Sequence, residues 1–127
     1  MERIRVLIVD DRPIFRAGAR GMLSDYEHIT VVGEATSGME AVKLAKSLKP
    51  DVILMDISMP EMDGIRATKE ILLDSHEVAI LGLSVSDHED DVSNMLEAGA
   101  CGYILKDSGP EDLARACLLY TSPSPRD

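Results

Sequence analysis

Asp51-Val52-Ile53-Leu54-Met55-Asp56 is the stretch on which the fold turns. It is an unbroken apolar run, launched by Pro50 and closed by a carboxylate. Runs of this kind, without polar alternation, are strands buried on both faces, and such strands belong to parallel sheets covered by helices on each side. Two other runs repeat the pattern. Arg5-Val6-Leu7-Ile8-Val9 leads into Asp10-Asp11, and Gly102-Tyr103-Ile104-Leu105 leads into Lys106. If the three are parallel neighbours, three carboxylates and one ammonium converge at the carboxyl edge of one sheet. That edge is where open α/β sheets carry their sites.

Outward from these runs, strand-like and helix-like segments alternate. Residues 3–9 are followed after Pro13 by Ile14, Phe15, Ala19, Met22 and Leu23 at helical spacing. Thr30 to Ala35 precedes Gly38 and a helix with Ala41, Ala45 and Leu48 on one face. After the turn Met59-Pro60-Glu61-Met62-Asp63-Gly64 come Ile65, Ile71 and Leu72. Val78 to Leu83 reads as a fourth strand, and Val92, Met95 and Leu96 mark the next helix. Pro110 suits the first turn of a last helix, where its missing N–H has no intrahelical partner. Five βα units with right-handed crossovers predict an α/β, doubly wound (βα)5 flavodoxin-like sandwich with parallel strand order 2-1-3-4-5.

The bulk composition narrows the function. At 127 residues the chain fits one domain with an ordinary core. No apolar run approaches the ~20 residues of a membrane helix, and the N-terminus opens into a strand rather than a signal peptide, so a cytoplasmic location is expected. The net charge of −10 argues against direct contact with nucleic acid, which calls for a basic patch. Cys101 and Cys117 lack metal-like spacing and read as reduced thiols.

The convergent residues suggest phosphoryl chemistry. A strand-end carboxylate can attack phosphorus, and Asp56 is the candidate nucleophile. Two like charges ~4 Å apart at an effective dielectric of ~20 repel by about 4 kcal/mol. A hard divalent cation removes that penalty, and Mg²⁺ takes one or two carboxylates together with waters and phosphate oxygens. Asp11, Asp56 and the Ser58 backbone carbonyl are the expected direct ligands, with Asp10 acting through water. Lys106 supplies a cation for Asp56 and then for the phosphoryl oxygens. Taken singly, each residue has a commoner explanation as a turn, a helix cap or a solvated charge.

Together, the segments Val9-Asp10-Asp11, Asp56 to Gly64, Leu83-Ser84 and Gly99 to Lys106 resemble the receiver domain of bacterial two-component response regulators. The resemblance runs from residue 3 to about residue 116. Asp-Asp-Arg-Pro-Ile-Phe-Arg and Gly-Tyr-Ile-Leu-Lys-Asp are most similar to the subfamily with a LuxR/NarL-type helix-turn-helix output, although Arg12 stands where a histidine is frequent. The resemblance implies phosphorylation of Asp56 by a sensor histidine kinase or a small phosphodonor. Ser84 would bond the phosphoryl group, and Ser84 and Tyr103 would switch the face formed by the fourth helix, fifth strand and fifth helix. Ser58 and Ser86 would tune dephosphorylation. It further implies a signalling domain rather than an enzyme, a phosphorylation-dependent homodimer, and DNA binding through a further C-terminal domain. The alternative is a stand-alone receiver acting by protein–protein contact. An aspartyl-nucleophile phosphatase would want a second acid where Ser58 stands, and a nucleotide-binding enzyme would want a Gly-rich loop where Asp-Asp-Arg-Pro stands.

The string Cys117 to Asp127 breaks the last helix with two prolines and resembles the translation of a transposase-type sequencing adapter. The expected organisation is therefore a receiver domain over 1–116 and a non-native tail over 117–127, disordered or fortuitously helical at its start.

Overall fold

The computed structural model describes residues 3–57, 59, 64–74, 77–84, 89–107 and 110–121, the side chains of 89–91, 110–111 and 120–121 aside. Ser58, Ser86, the turn residues 60–63 and the tail residues 122–127 lie outside the described residues. Five strands alternate with five helices: β1 (Ile4–Val9), α1 (Pro13–Ser24), β2 (Ile29–Ala35), α2 (Gly38–Leu48), β3 (Val52–Asp56), α3 (Gly64–Asp74), β4 (Ala79–Ser84), α4 (Glu89–Glu97), β5 (Gly102–Leu105) and α5 (Pro110–Thr121). The sheet has the order β2-β1-β3-β4-β5, with every pair parallel. This is the flavodoxin-like α/β sandwich that the apolar runs predict.

Strand side chains alternate between two cores. Val6, Ile8, Val52 and Leu54 face one cluster with Ala19 and Leu23 of α1 and Leu113, Ala114 and Cys117 of α5. Leu7, Val9, Ile53 and Met55 face the other, with Ala41 of α2, Ala67 and Ile71 of α3 and Met95 of α4. Both faces of β1 and β3 are thus covered, which is why these strands read as continuous apolar runs.

On α1 the inward face consists of Phe15, Ala19, Met22 and Leu23, spaced at four, three and one residues. Ile14, expected on that face, is 87% exposed. It lies about 100° around the helix from Phe15, and the residue one turn on is Gly18 rather than an apolar partner.

Local signals set the helix ends. Ser37 caps α2 by accepting from the Glu40 N–H at 3.2 Å, and the Glu40 carboxylate accepts in return from the Thr36 N–H at 2.7 Å. Lys49 ends that helix in the left-handed region at φ 49°, ahead of Pro50. The chain turns away from α4 at Gly99, two residues past its end, where a φ of 117° calls for glycine. At the other end of the chain α5 continues to Thr121, with Cys117 fully buried and Leu118 packed against the core. Burial pushes the Cys117 thiol up to about 12, whereas Cys101 is exposed.

Candidate functional site

β1, β3 and β5 end on one side of the sheet, and residues at or just beyond those ends build the site. Asp10 follows β1, its N–H donating to the Ala35 carbonyl at 3.0 Å. Asp56 is the last residue of β3, in register with Leu83 of β4. Lys106 follows β5, its N–H donating to the Ser84 carbonyl at 2.7 Å. The strand order reverses direction between β1 and β3, so Asp10 and Asp56 flank the topological switch point.

Two of the three carboxylates there are withdrawn from solvent. Asp10 is 0% exposed and Asp56 4%, while Asp11 stands at the open side. One carboxylate oxygen from each of the three lies within 4.8 Å of the others. Across a Mg²⁺ ion two opposite oxygen ligands stand about 4 Å apart, so the cluster fits a cation of that size, and an all-carboxylate donor set suits a hard one.

Lys106 reaches over the ends of β4 and β3 to join the carboxylates. Its Nζ lies 2.5 Å from Asp10 Oδ2 and 3.4 Å from Asp56 Oδ2, with its side chain 9% exposed. The sequence reading pairs it with Asp56; the structure sets it closer to Asp10. Asp10 is the more deeply buried carboxylate. Its Oδ2 takes no well-aligned hydrogen bond among the described residues, so it depends on the ammonium charge. The Phe15 ring lies 5.0 Å from the same Nζ and offers it a π face.

The turn after β1 is held from within. Asp10 Oδ1 accepts from the Arg12 N–H at 2.8 Å, the local turn expected of aspartate. The Asp10 carbonyl accepts from Arg16 Nη1 at 2.7 Å, and Arg16 Nε donates to Glu34 Oε1 at 3.1 Å. Arg20 Nη1 lies 2.6 Å from Glu34 Oε2. The Arg20 hydrogen bond is the largest influence that holds the Glu34 carboxyl below its ordinary range, Arg16 adding to it against the effect of burial.

Behind Asp56, Gly64 opens α3 and donates its N–H to the Ile57 carbonyl at 3.1 Å. A Cβ at this position would strike the Asp56 carbonyl oxygen. Glycine here lets the helix start against the backbone of Asp56.

Ser84 is buried at the end of β4, one residue beyond the register partner of Asp56. Tyr103, on β5, is 43% exposed. The structure thus brings Asp10, Asp11, Asp56 and Lys106 together, sets Ser84 beside them, and leaves Tyr103 facing outward. Phe15, Arg16, Glu34 and the Gly64 contact were missed from sequence. Arg12, Arg16 and Arg20 do recur every four residues, and Glu34 is the one acid within β2, a pairing that could have signalled the link.

Fold and site together define a class: a parallel α/β domain with an acidic, lysine-countered pocket at its switch point. Residues 6–118 match the response regulator receiver domain, and the chain belongs to that family. It is 44% identical over 115 residues to the nitrate/nitrite response regulator protein NarL of Escherichia coli K12, covering 91% of this chain and 53% of NarL. The chain thus spans about half the length of that relative. The signal receiver domain of a response regulator named NarL from Mycobacterium tuberculosis superposes with a TM-score of 0.92 at 35% identity, covering 98% of this chain and all of that one. CheY of Borrelia burgdorferi, solved with CheX, BeF₃ and Mg²⁺, gives 0.85 at 26% identity, covering 93% of this chain and 89% of the other. Among the described residues no helix is long and apolar enough to cross a membrane.

Proposed function

We propose that Asp56 accepts a phosphoryl group and that the domain is the input half of a two-component transcription regulator. The observation that carries this reading is a buried strand-end carboxylate with two further carboxylates within 4.8 Å and an ammonium at 3.4 Å. An Asp56 carboxylate oxygen attacks phosphorus. The bond from phosphorus to the histidine nitrogen of a kinase, or to the acyl oxygen of a small donor, breaks, and its electron pair leaves with the donor. Asp11, Asp56 and the Ser58 carbonyl would hold Mg²⁺, with Asp10 acting through water. The ion would supply charge neutralisation at the transferring group, and the Mg²⁺ and BeF₃ of the CheY complex support that assignment by likeness.

After transfer, Lys106 pairs with a phosphoryl oxygen and the Ser84 hydroxyl donates to another. The new charge draws the Ser84 loop inward and lets Tyr103 turn from its outward position, which changes the face of α4, β5 and α5. Ser58 and Ser86 set how readily water reaches the acyl phosphate. The chain catalyses only its own phosphorylation and dephosphorylation. In the whole protein this reading adds a C-terminal helix-turn-helix, a phosphorylation-dependent homodimer and a cytoplasmic location; the 44% identity to a nitrate/nitrite response regulator about twice as long supports the further domain. On this reading the native domain ends near Ala116 and the non-native tail is fortuitously helical only at its start, where residues 117–121 continue α5; sequencing the gene beyond that codon tests this.

The functional test is direct. With Mg²⁺ and acetyl phosphate the intact mass should rise by one phosphoryl group, and EDTA or Asp56→Asn should abolish the increment. An undiminished increment in Asp56→Asn would overturn the assignment.

A further inference from the structure

We infer that Arg16 is a positioning residue for the acidic cluster, aiming Asp11 by gripping the peptide that joins it to Asp10, with Glu34 holding Arg16 in place. The inference rests on the reading above that these carboxylates hold Mg²⁺. The Asp10–Asp11 peptide leaves the sheet at β1, and its carbonyl oxygen is the atom that Arg16 Nη1 holds at 2.7 Å. The same guanidinium places Nε on Glu34 Oε1 at 3.1 Å, so one rigid fork spans from α1 to both the turn and β2. Its side chain is 15% exposed. On the Asp10 side the peptide is fixed by the bond to Ala35 and by Arg12 N–H donating to Asp10 Oδ1. The Asp10 side chain is committed to Lys106. Asp11 stands exposed, and its direction follows from the plane of the peptide before it. Arg16 fixes that plane.

Groups that orient metal ligands in this way, without touching the metal, commonly matter about tenfold or more in affinity. Lysine at position 16 keeps the charge, so the general field at the cluster is preserved. A single ammonium cannot reproduce the planar fork that holds the carbonyl and Glu34 at once. Charge and geometry therefore separate in one substitution.

The experiment is calorimetric titration of the full chain with MgCl₂, for wild type, Arg16→Lys, Glu34→Gln and Arg3→Lys, with thermal unfolding measured alongside; Arg3 donates to Thr30 Oγ1 at the amino edge of the sheet and touches neither Glu34 nor the turn. Arg16→Lys should weaken Mg²⁺ binding roughly tenfold, Glu34→Gln by a smaller factor, and Arg3→Lys should leave it at the wild-type value. Amide NMR shifts at Asp11 and Arg12 should move in Arg16→Lys and stay in place in Arg3→Lys. Wild-type Mg²⁺ affinity in both Arg16→Lys and Glu34→Gln would overturn the inference and leave the site reading intact. If Arg16→Lys does not fold, Glu34→Gln decides alone. Absence of Mg²⁺ binding by wild type would overturn the site reading and this inference with it.

Discussion

Asp51 and Asp56 stand at opposite ends of one strand, and their surroundings could hardly differ more. At the amino edge, Asp51 Oδ2 accepts from the Arg5 N–H at 2.8 Å while the Asp51 N–H donates to the Arg5 carbonyl at 2.8 Å. The Arg5 guanidinium donates to the Leu48 and Lys49 carbonyls at 2.5 and 2.8 Å, closing the end of α2. Each of these charged groups is matched to backbone. At the carboxyl edge, Asp10, Asp11 and Asp56 are gathered on one another, with Lys106 as countercharge. Charges matched to backbone hold a fold together. Charges gathered on one another store a repulsion that a ligand can relieve, which is the mark of a site.

Substitutions should expose that contrast, and the largest effect belongs to Lys106→Met. It strips the countercharge from two buried carboxylates and should lower stability by about 3 kcal/mol in EDTA. Urea unfolding with saturating Mg²⁺ should show a clearly smaller loss, because the cation takes over the neutralising role. An equal loss in both buffers would erase the distinction between the two edges. Gly64→Ala should come next, at about 2 kcal/mol for an overpacked contact. Because the added methyl strikes the Asp56 carbonyl, phosphorylation by acetyl phosphate should slow as well. Asp51→Ala should be mildest, at about 1 kcal/mol for one lost hydrogen bond. Its phosphorylation rate should match wild type, and a slowed rate would show that the amino edge does take part in the chemistry.

Much of this architecture could be read from the chain because periodicity reports burial. The runs ending at Val9, Asp56 and Leu105 are strands with their charged residues at one edge, and Gly64 does open a helix. What the sequence hid are pairings between distant residues. Nothing local tells Lys106 to prefer Asp10 over Asp56, because that depends on how deeply each carboxylate is buried. Nothing local says that Gly64 abuts Asp56, since a glycine in a turn is ordinarily there for its backbone freedom. Ile14 misled because helical spacing alone does not say where the apolar stripe ends.

The reach of Lys106 to Asp10 also bears on how the domain comes into being. These two residues lie near opposite ends of the chain, and their contact forms only after β5 has joined a sheet that already holds β1 and β3. Closing so long a loop is among the last entropic debts of folding. A nascent or partly unfolded chain would carry Asp10 and Asp56 without their countercharge. The assembled cluster is therefore a property of the finished domain.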